Sequence, residues 1–128
     1  MKPISPVNVS VVQDAPVLFH LSQTIEKIGD LTQKAACQNT DLVLFPEAFI
    51  PAYPRGLGFG MVVGNRKEIG RELWLKYWEN SISLESDEVK QLCKIARQNS
   101  VFLSVGIIEK DQTSENTLYC SQIYINKT

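Results

Sequence analysis

Glu47 is the residue whose surroundings most suggest chemistry. It follows a short apolar run, Leu42-Val43-Leu44-Phe45, and is flanked by Pro46, Ala48, Phe49, Ile50 and Pro51. A carboxylate in that company is expected to lose hydration, and desolvation raises its pKa toward the range useful to a general base. The competing reading is a solvated loop glutamate whose apolar neighbours merely pack nearby. Tyr53, set between Ala52 and Pro54, is a second candidate. It would line a pocket beside Glu47 or simply pack in a rigid Pro-rich turn.

The other reactive side chains offer less. The three cysteines, Cys37, Cys93 and Cys120, are odd in number and widely spaced. No CxxC metal or redox motif is present, and a disulfide framework is not expected. Cys37 and Cys93 fall on or beside helix stripes and Cys120 within a strand, so all three read as reduced, mostly buried thiols. None has the electropositive, partly exposed niche of a nucleophile. In Gly56-Leu57-Gly58-Phe59-Gly60 the GxGxxG spacing fails, because Met61 stands where the third glycine belongs. His20 is isolated near the start of a helix, and Lys127 is a solvated residue near the chain end. No metal site and no cofactor are expected.

The elements that must position Glu47 follow from periodicity. Val7 to Gln13 is valine-rich and partly alternating, a first strand broken by Asp14, Ala15 and Pro16. From His20 to Gln38, Leu21, Ile25, Ile28, Leu31 and Ala35 recur at helical spacing. Leu42 to Phe45 reads as a strand buried on both faces, and strand–helix–strand implies a parallel crossover. Pro46 ends that strand at a position where α/β folds commonly place ligands. Glu47 to Gly64 is Pro- and Gly-rich, a long loop of the kind that is usually functional.

Arg66 to Asn80 gives a second helix with Ile69, Leu73 and Tyr77, joined by Trp74, on one side. Ser86 is the N-cap of a third, with Asp87 and Glu88 in its first turn and Val89, Leu92, Cys93 and Ala96 as its stripe. Val101 to Ile108 is a strand apolar on both faces. A polar loop, Glu109 to Asn116, then joins it to an antiparallel strand, Thr117 to Ile125. The order β-α-β-loop-α-α-β-β reads as an α/β sheet with helices covering one side.

Length and composition agree with one soluble globular unit. The 128 residues suit a single domain, and 44% hydrophobic with 21% charged residues is not the profile of a disordered chain. The net charge of −1 and scattered basic residues give no reason to expect nucleic acid or an anionic membrane as partner. No signal sequence is recognisable in Met1 to Gln13, so the default expectation is cytoplasmic.

The run Phe45-Pro46-Glu47-Ala48-Phe49-Ile50-Pro51-Ala52-Tyr53-Pro54-Arg55-Gly56, continuing to Phe59-Gly60, strongly resembles the catalytic-glutamate motif of the nitrilase branch of the carbon–nitrogen hydrolases. Val11-Val12-Gln13-Asp14-Ala15-Pro16-Val17 resembles that family's first strand and its exit. Gly106 to Asp111 and Thr117 to Cys120 resemble its third strand and the hairpin strand after it. Essentially the whole chain, 1–128, is covered, as the N-terminal portion of the domain. Two departures are visible: Asn39 stands where the family usually has glycine, and Ala52 replaces the glycine common before Tyr-Pro.

The resemblance implies an α/β fold, the N-terminal part of a nitrilase-like α-β-β-α sandwich, comprising about one sheet with its covering helices. It also implies hydrolysis of a nitrile to a carboxylic acid and ammonia through a cysteine thioimidate, with Glu47 as general base. Family members use a lysine and a nucleophilic cysteine whose motifs follow the strand that here ends near Thr128. The isolated chain is therefore expected to be catalytically incompetent, truncated on its C-terminal side. A small-molecule nitrile and further copies in a homo-oligomer are the partners so implied. The alternatives are a non-catalytic nitrilase-like binding or assembly module and, less favoured, a small Rossmann-like binder.

Overall fold

The computed structural model describes residues 5–59, 67–114 and 116–128. Their elements are β1 (Val9–Val11), α1 (Leu21–Ala36), β2 (Leu42–Leu44), α2 (Glu68–Glu79), α3 (Asp87–Asn99), β3 (Phe102–Lys110) and β4 (Leu118–Ile125). This is the order expected from periodicity, with strand ends shifted by a residue or two. The sheet runs β1-β2-β3-β4, with β1, β2 and β3 mutually parallel and β4 antiparallel to β3.

Alternation along β3 sorts the core. Leu103, Val105 and Ile107 are fully buried on one face, where they join Val43, Phe45 and Phe49 with Ile25 and Ile28 of α1 and Leu92 and Ala96 of α3. The two helices lie side by side, and Gly29 of α1 brings Ile95 of α3 within van der Waals reach. The Ser86 hydroxyl accepts the Val89 N–H at 3.4 Å, and Asp87 and Glu88 occupy the first turn, so α3 starts as its sequence predicts. Ser100 closes it in the left-handed region, φ 55°.

Helix α2 departs from expectation. Its Tyr77 packs with Ala48 and Ile108, beside Trp74, Phe59 and Leu118. Ile108 points away from Val105 and Ile107, so α2 lies against the opposite face of the sheet, not with α1 and α3. Ile69, expected on the inner side, is 54% exposed, and Gly70 and Tyr77 are the buried pair. The aromatic contacts of Phe59, Trp74 and Tyr77 rotate the helix by about one position from the aliphatic stripe. Arg66, placed at this helix's start by pattern, lies outside the described residues, as does the loop tail from Gly60 to Gly64.

Among the described residues, that second face carries no covering layer away from α2, with Ser104 alone of its rows buried, beneath Gln122. In register across the sheet stand Val9, Leu42 and Phe102, then Val11, Leu44, Ser104 and Tyr124. Val11 is 63% and Tyr124 79% exposed, and Leu42 and Leu44 are only half-buried. β2 is therefore buried on one face, not on both as its apolar run suggested, because among the described residues no layer packs on the other. Among the described residues no helix is long and apolar enough to cross a membrane.

Candidate active site

The parallel ladder between β2 and β3 is interrupted at the sequence Pro46-Glu47-Ala48-Phe49. Leu44 pairs with Ser104 and Ile50 with Ile107, so six residue steps on one side face three on the other. The surplus chain leaves the ladder as a bulge. Its ends are tied by backbone bonds, Phe45 N–H to Ser104 O at 2.8 Å before it, Ile50 N–H to Gly106 O at 3.2 Å and Ile108 N–H to Ile50 O at 2.6 Å after it. Both ends are also pinned by side chains. Phe45 and Phe49 are 1% exposed and meet edge-on with ring centres 5.2 Å apart. Further along the same edge of β3, Ile82 takes over as the parallel partner.

Glu47 sits at the crest of this bulge, and it is exposed. The desolvated carboxylate expected from its apolar neighbours is not found. Phe45, Phe49 and Ile50 turn inward to the core, while Pro46 and Glu47 turn outward over the bare face. Directly beneath lies Gly106. A methyl group there would fall within 2.6 Å of Glu47 Cα and Ala48 N, and closer still to Pro46 O.

Cys120 is the neighbour that sequence reasoning missed. It lies opposite Ile108 in the hairpin, on the same face as the bulge, and its thiol donates to Glu47 Oε1 at 3.3 Å. Burial, then this hydrogen bond and the carboxylate's charge, push the thiol pKa upward. That holds Cys120 as a protonated donor rather than a thiolate. Cys37 and Cys120 are exposed and Cys93 half-buried, so the expectation of mostly buried thiols was wrong, although all three are free. No sequence signal gives a contact between residues 47 and 120. It requires the hairpin register.

Tyr77 packs with Ala48 and Ile108 on the same face, and its pKa is pushed up to about 12 by burial first and then by the negative charge that Cys120 and Tyr53 acquire as they ionise at high pH. Tyr53 itself is 60% exposed. Glu47 and Cys120 thus meet on the outer face of the sheet, beside the cluster in which Tyr77 of α2 packs on Ala48 and Ile108. The sign of the Tyr77 effect is definite: a pKa raised above its unfolded value near 10 means that its contribution is complete below pH ~10. It is lost as pH rises through 10 to 12. The stability of the wild-type chain should therefore decline more steeply across that range than that of Tyr77→Phe, measured by urea midpoints at each pH. Parallel curves would show that Tyr77 is not so held.

The two departures from the family pattern coincide with unusual backbone. Asn39 has φ 56° and Ala52 φ 146°. Asparagine tolerates the left-handed region, but alanine at φ 146° is strained where glycine would not be. Ala52→Gly is expected to raise stability by about 1 kcal/mol. A lower urea midpoint in that variant would contradict the assignment of strain.

Among the described residues no group of three or more His, Cys, Asp or Glu side chains is placed to hold a metal ion.

Comparison with known proteins identifies the family of the chain. The chain is 40% identical to nitrilase 1 of Arabidopsis thaliana over 97% of its own length and 35% of the relative's. It is 37% identical to an aliphatic nitrilase of Sinorhizobium fredii (strain HH103), over 90% of this chain and 36% of that one. The chain thus spans about a third of the length of the relatives it matches. A carbon–nitrogen hydrolase from Helicobacter pylori G27 shares the fold with a TM-score of 0.62, at 19% identity, over 94% of this chain and 36% of that structure. A variant of the amidase from Nesterenkonia sp. AN1 gives 0.63 at 16% identity, over 94% and 38%. The carbon–nitrogen hydrolase family model matches residues 8–128, and the chain belongs to that family.

Proposed function

We propose that this chain supplies the general-base segment of a nitrile-hydrolysing enzyme, with Glu47 as the base. The observation that carries this reading is the bulge that lifts Glu47 out of the β2 ladder and fixes it from both ends. Three backbone hydrogen bonds and two buried phenylalanines hold a carboxylate over an open face, which is the pre-organisation that proton transfer requires. The attacking thiolate and the cation stabilising negative charge on the substrate nitrogen are assigned to residues outside these 128. Cys120 is held as a donor and does not fill the nucleophile's place. The base takes the proton of the attacking thiol as sulfur bonds to the nitrile carbon and passes it to the nitrogen, giving a thioimidate. One water then adds and ammonia leaves to form a thioester, and a second water hydrolyses the thioester to the carboxylic acid and restores the thiol.

The bare sheet face supports the same reading. Its apolar rows are those of a sheet made to be covered by a second layer, and covering it would also remove water from Glu47. The carboxylate's desolvation is then supplied by packing across the face rather than by its sequence neighbours. Whether nitriles alone or amides as well are turned over depends on walls that this segment does not build.

The test has two arms. The 128-residue chain alone is expected to self-associate and to release no ammonia from aliphatic or aromatic nitriles. Joined to the remaining part of a nitrilase such as that of S. fredii, it is expected to restore ammonia release. A well-folded fusion with no turnover, or a 128-residue chain that stays monomeric at all concentrations, would contradict the proposal. The bare face also suits a non-catalytic assembly module, and a chain that pairs with intact relatives without affecting turnover would favour that second reading.

A further inference from the structure

We propose that Gly106 is a positioning residue for Glu47, its missing side chain being what lets the bulge lie flat across β3 and brings the carboxylate to Cys120. This deepens the reading of Glu47 as the base. Gly106 lies in the interior of a strand between Val105 and Ile107, where glycine is unfavourable and has to be explained. Its backbone torsion does not explain it, since Gly56 is the described glycine with positive φ. Space does. A Cβ at position 106 would collide with three backbone atoms of Pro46, Glu47 and Ala48, none of which can move as a flexible side chain would. Those atoms are further constrained because Ile50 N–H is bonded to the Gly106 carbonyl itself. The only relief is to lift the bulge away from the sheet, which carries Glu47 away from the Cys120 thiol at 3.3 Å.

The contrast with other glycines is sharp. A Cβ at Gly58 meets nothing within 4 Å, and at Gly29 only the flexible end of Ile95 at 3.6 Å. Gly58→Ala therefore serves as a control for the loss of glycine as such.

The Cys120 thiol reports Glu47's position directly, because the carboxylate's hydrogen bond and charge both hold the proton on sulfur. The experiment measures the alkylation rate of Cys120 by iodoacetamide against pH in the 128-residue chain, resolved from Cys37 and Cys93 by peptide mapping. Glu47→Gln sets the scale for loss of the charge and is expected to accelerate alkylation of Cys120 severalfold near pH 7.5, because the carboxylate no longer holds the proton on sulfur. Gly106→Ala is expected to accelerate Cys120 to a similar degree, and Gly58→Ala to leave it at the wild-type rate. Adding Gly106→Ala to Glu47→Gln should give no further increase.

A Gly106→Ala chain that folds and keeps the wild-type alkylation profile overturns the proposal. If that variant does not fold, Ala48→Gly is added, freeing the bulge residue at φ 48°. Recovery of folding with accelerated Cys120 supports the proposal. Failure to fold in both backgrounds makes Gly106 a requirement of the sheet rather than of Glu47's placement, and overturns it. The alkylation rate does not depend on catalysis, so failure of the base assignment and failure of this positioning role are separately visible.

Discussion

Phe49→Ala is expected to lower the unfolding free energy by about 3–5 kcal/mol, the usual cost of removing a buried aromatic ring. Phe49 is 1% exposed, and it sits against Phe45 in the centre of the cluster that joins both core helices to the sheet. A loss of that size is comparable to the whole stability of a small domain, which is typically about 5–15 kcal/mol. This segment also leaves one sheet face bare, so it starts with less burial than a closed fold. Urea titration should show the variant partly or wholly unfolded under conditions where the wild-type chain is folded. Phe49→Leu, which keeps most of the volume, should retain cooperative unfolding. A cost below about 1 kcal/mol for Phe49→Ala would mean that the bulge is not anchored in the core as described.

The same substitution would loosen Glu47, because Phe49 is one of the two pins of the bulge. Stability and site geometry are thus coupled through a single side chain. This explains how an exposed carboxylate can be well placed: its position is set by buried neighbours on either side, not by contacts of its own.

Most of the architecture was legible from period and punctuation. Helical spacing from Leu21 to Ala35, the Ser86 cap with Asp87 and Glu88, and the apolar runs at Leu42 and Val101 each encode one element locally. What was not legible depends on a third partner. Ile69, Trp74 and Tyr77 all read as inner residues of α2, and only the aromatic cluster with Phe59 shows that Tyr77 and Trp74 pack inward while Ile69 is exposed. The apolar run of β2 looks the same whether its outer face is covered within the segment or by a layer beyond it.

The site follows the same division. Glu47 stood out because of its position after a strand and the motif around it, whereas its exposure was misjudged. Flanking residues that alternate inward and outward around a bulge do not form a greasy pocket, although they read as one in a row of letters. Cys120 and Gly106 were invisible as partners because their relation to Glu47 exists only through the β3–β4 register and the surplus of residues opposite Gly106. A glycine inside an apolar strand was the one available hint. Asn39 and Ala52 were visible as departures from a glycine pattern, and their positive φ values show why glycine suits both places.

Glu47→Gln carries the largest expected effect on activity. Glutamine keeps the size of the side chain and an acceptor oxygen but cannot take a proton, so the core pins and the bulge should be unaffected and only proton transfer lost. In a full-length nitrilase carrying this segment, ammonia release from a nitrile should fall by roughly 10²–10⁴-fold in kcat, the scale of a positioned base. KM should change far less, since the exposed crest contributes little binding area. Cooperative unfolding of the variant at the wild-type urea concentration would exclude a folding defect as the cause. Ammonia release by the Glu47→Gln protein is therefore the decisive measurement: a drop of about a hundredfold or more with an intact fold is the predicted result, and turnover equal to the unsubstituted protein would remove Glu47 from the reaction.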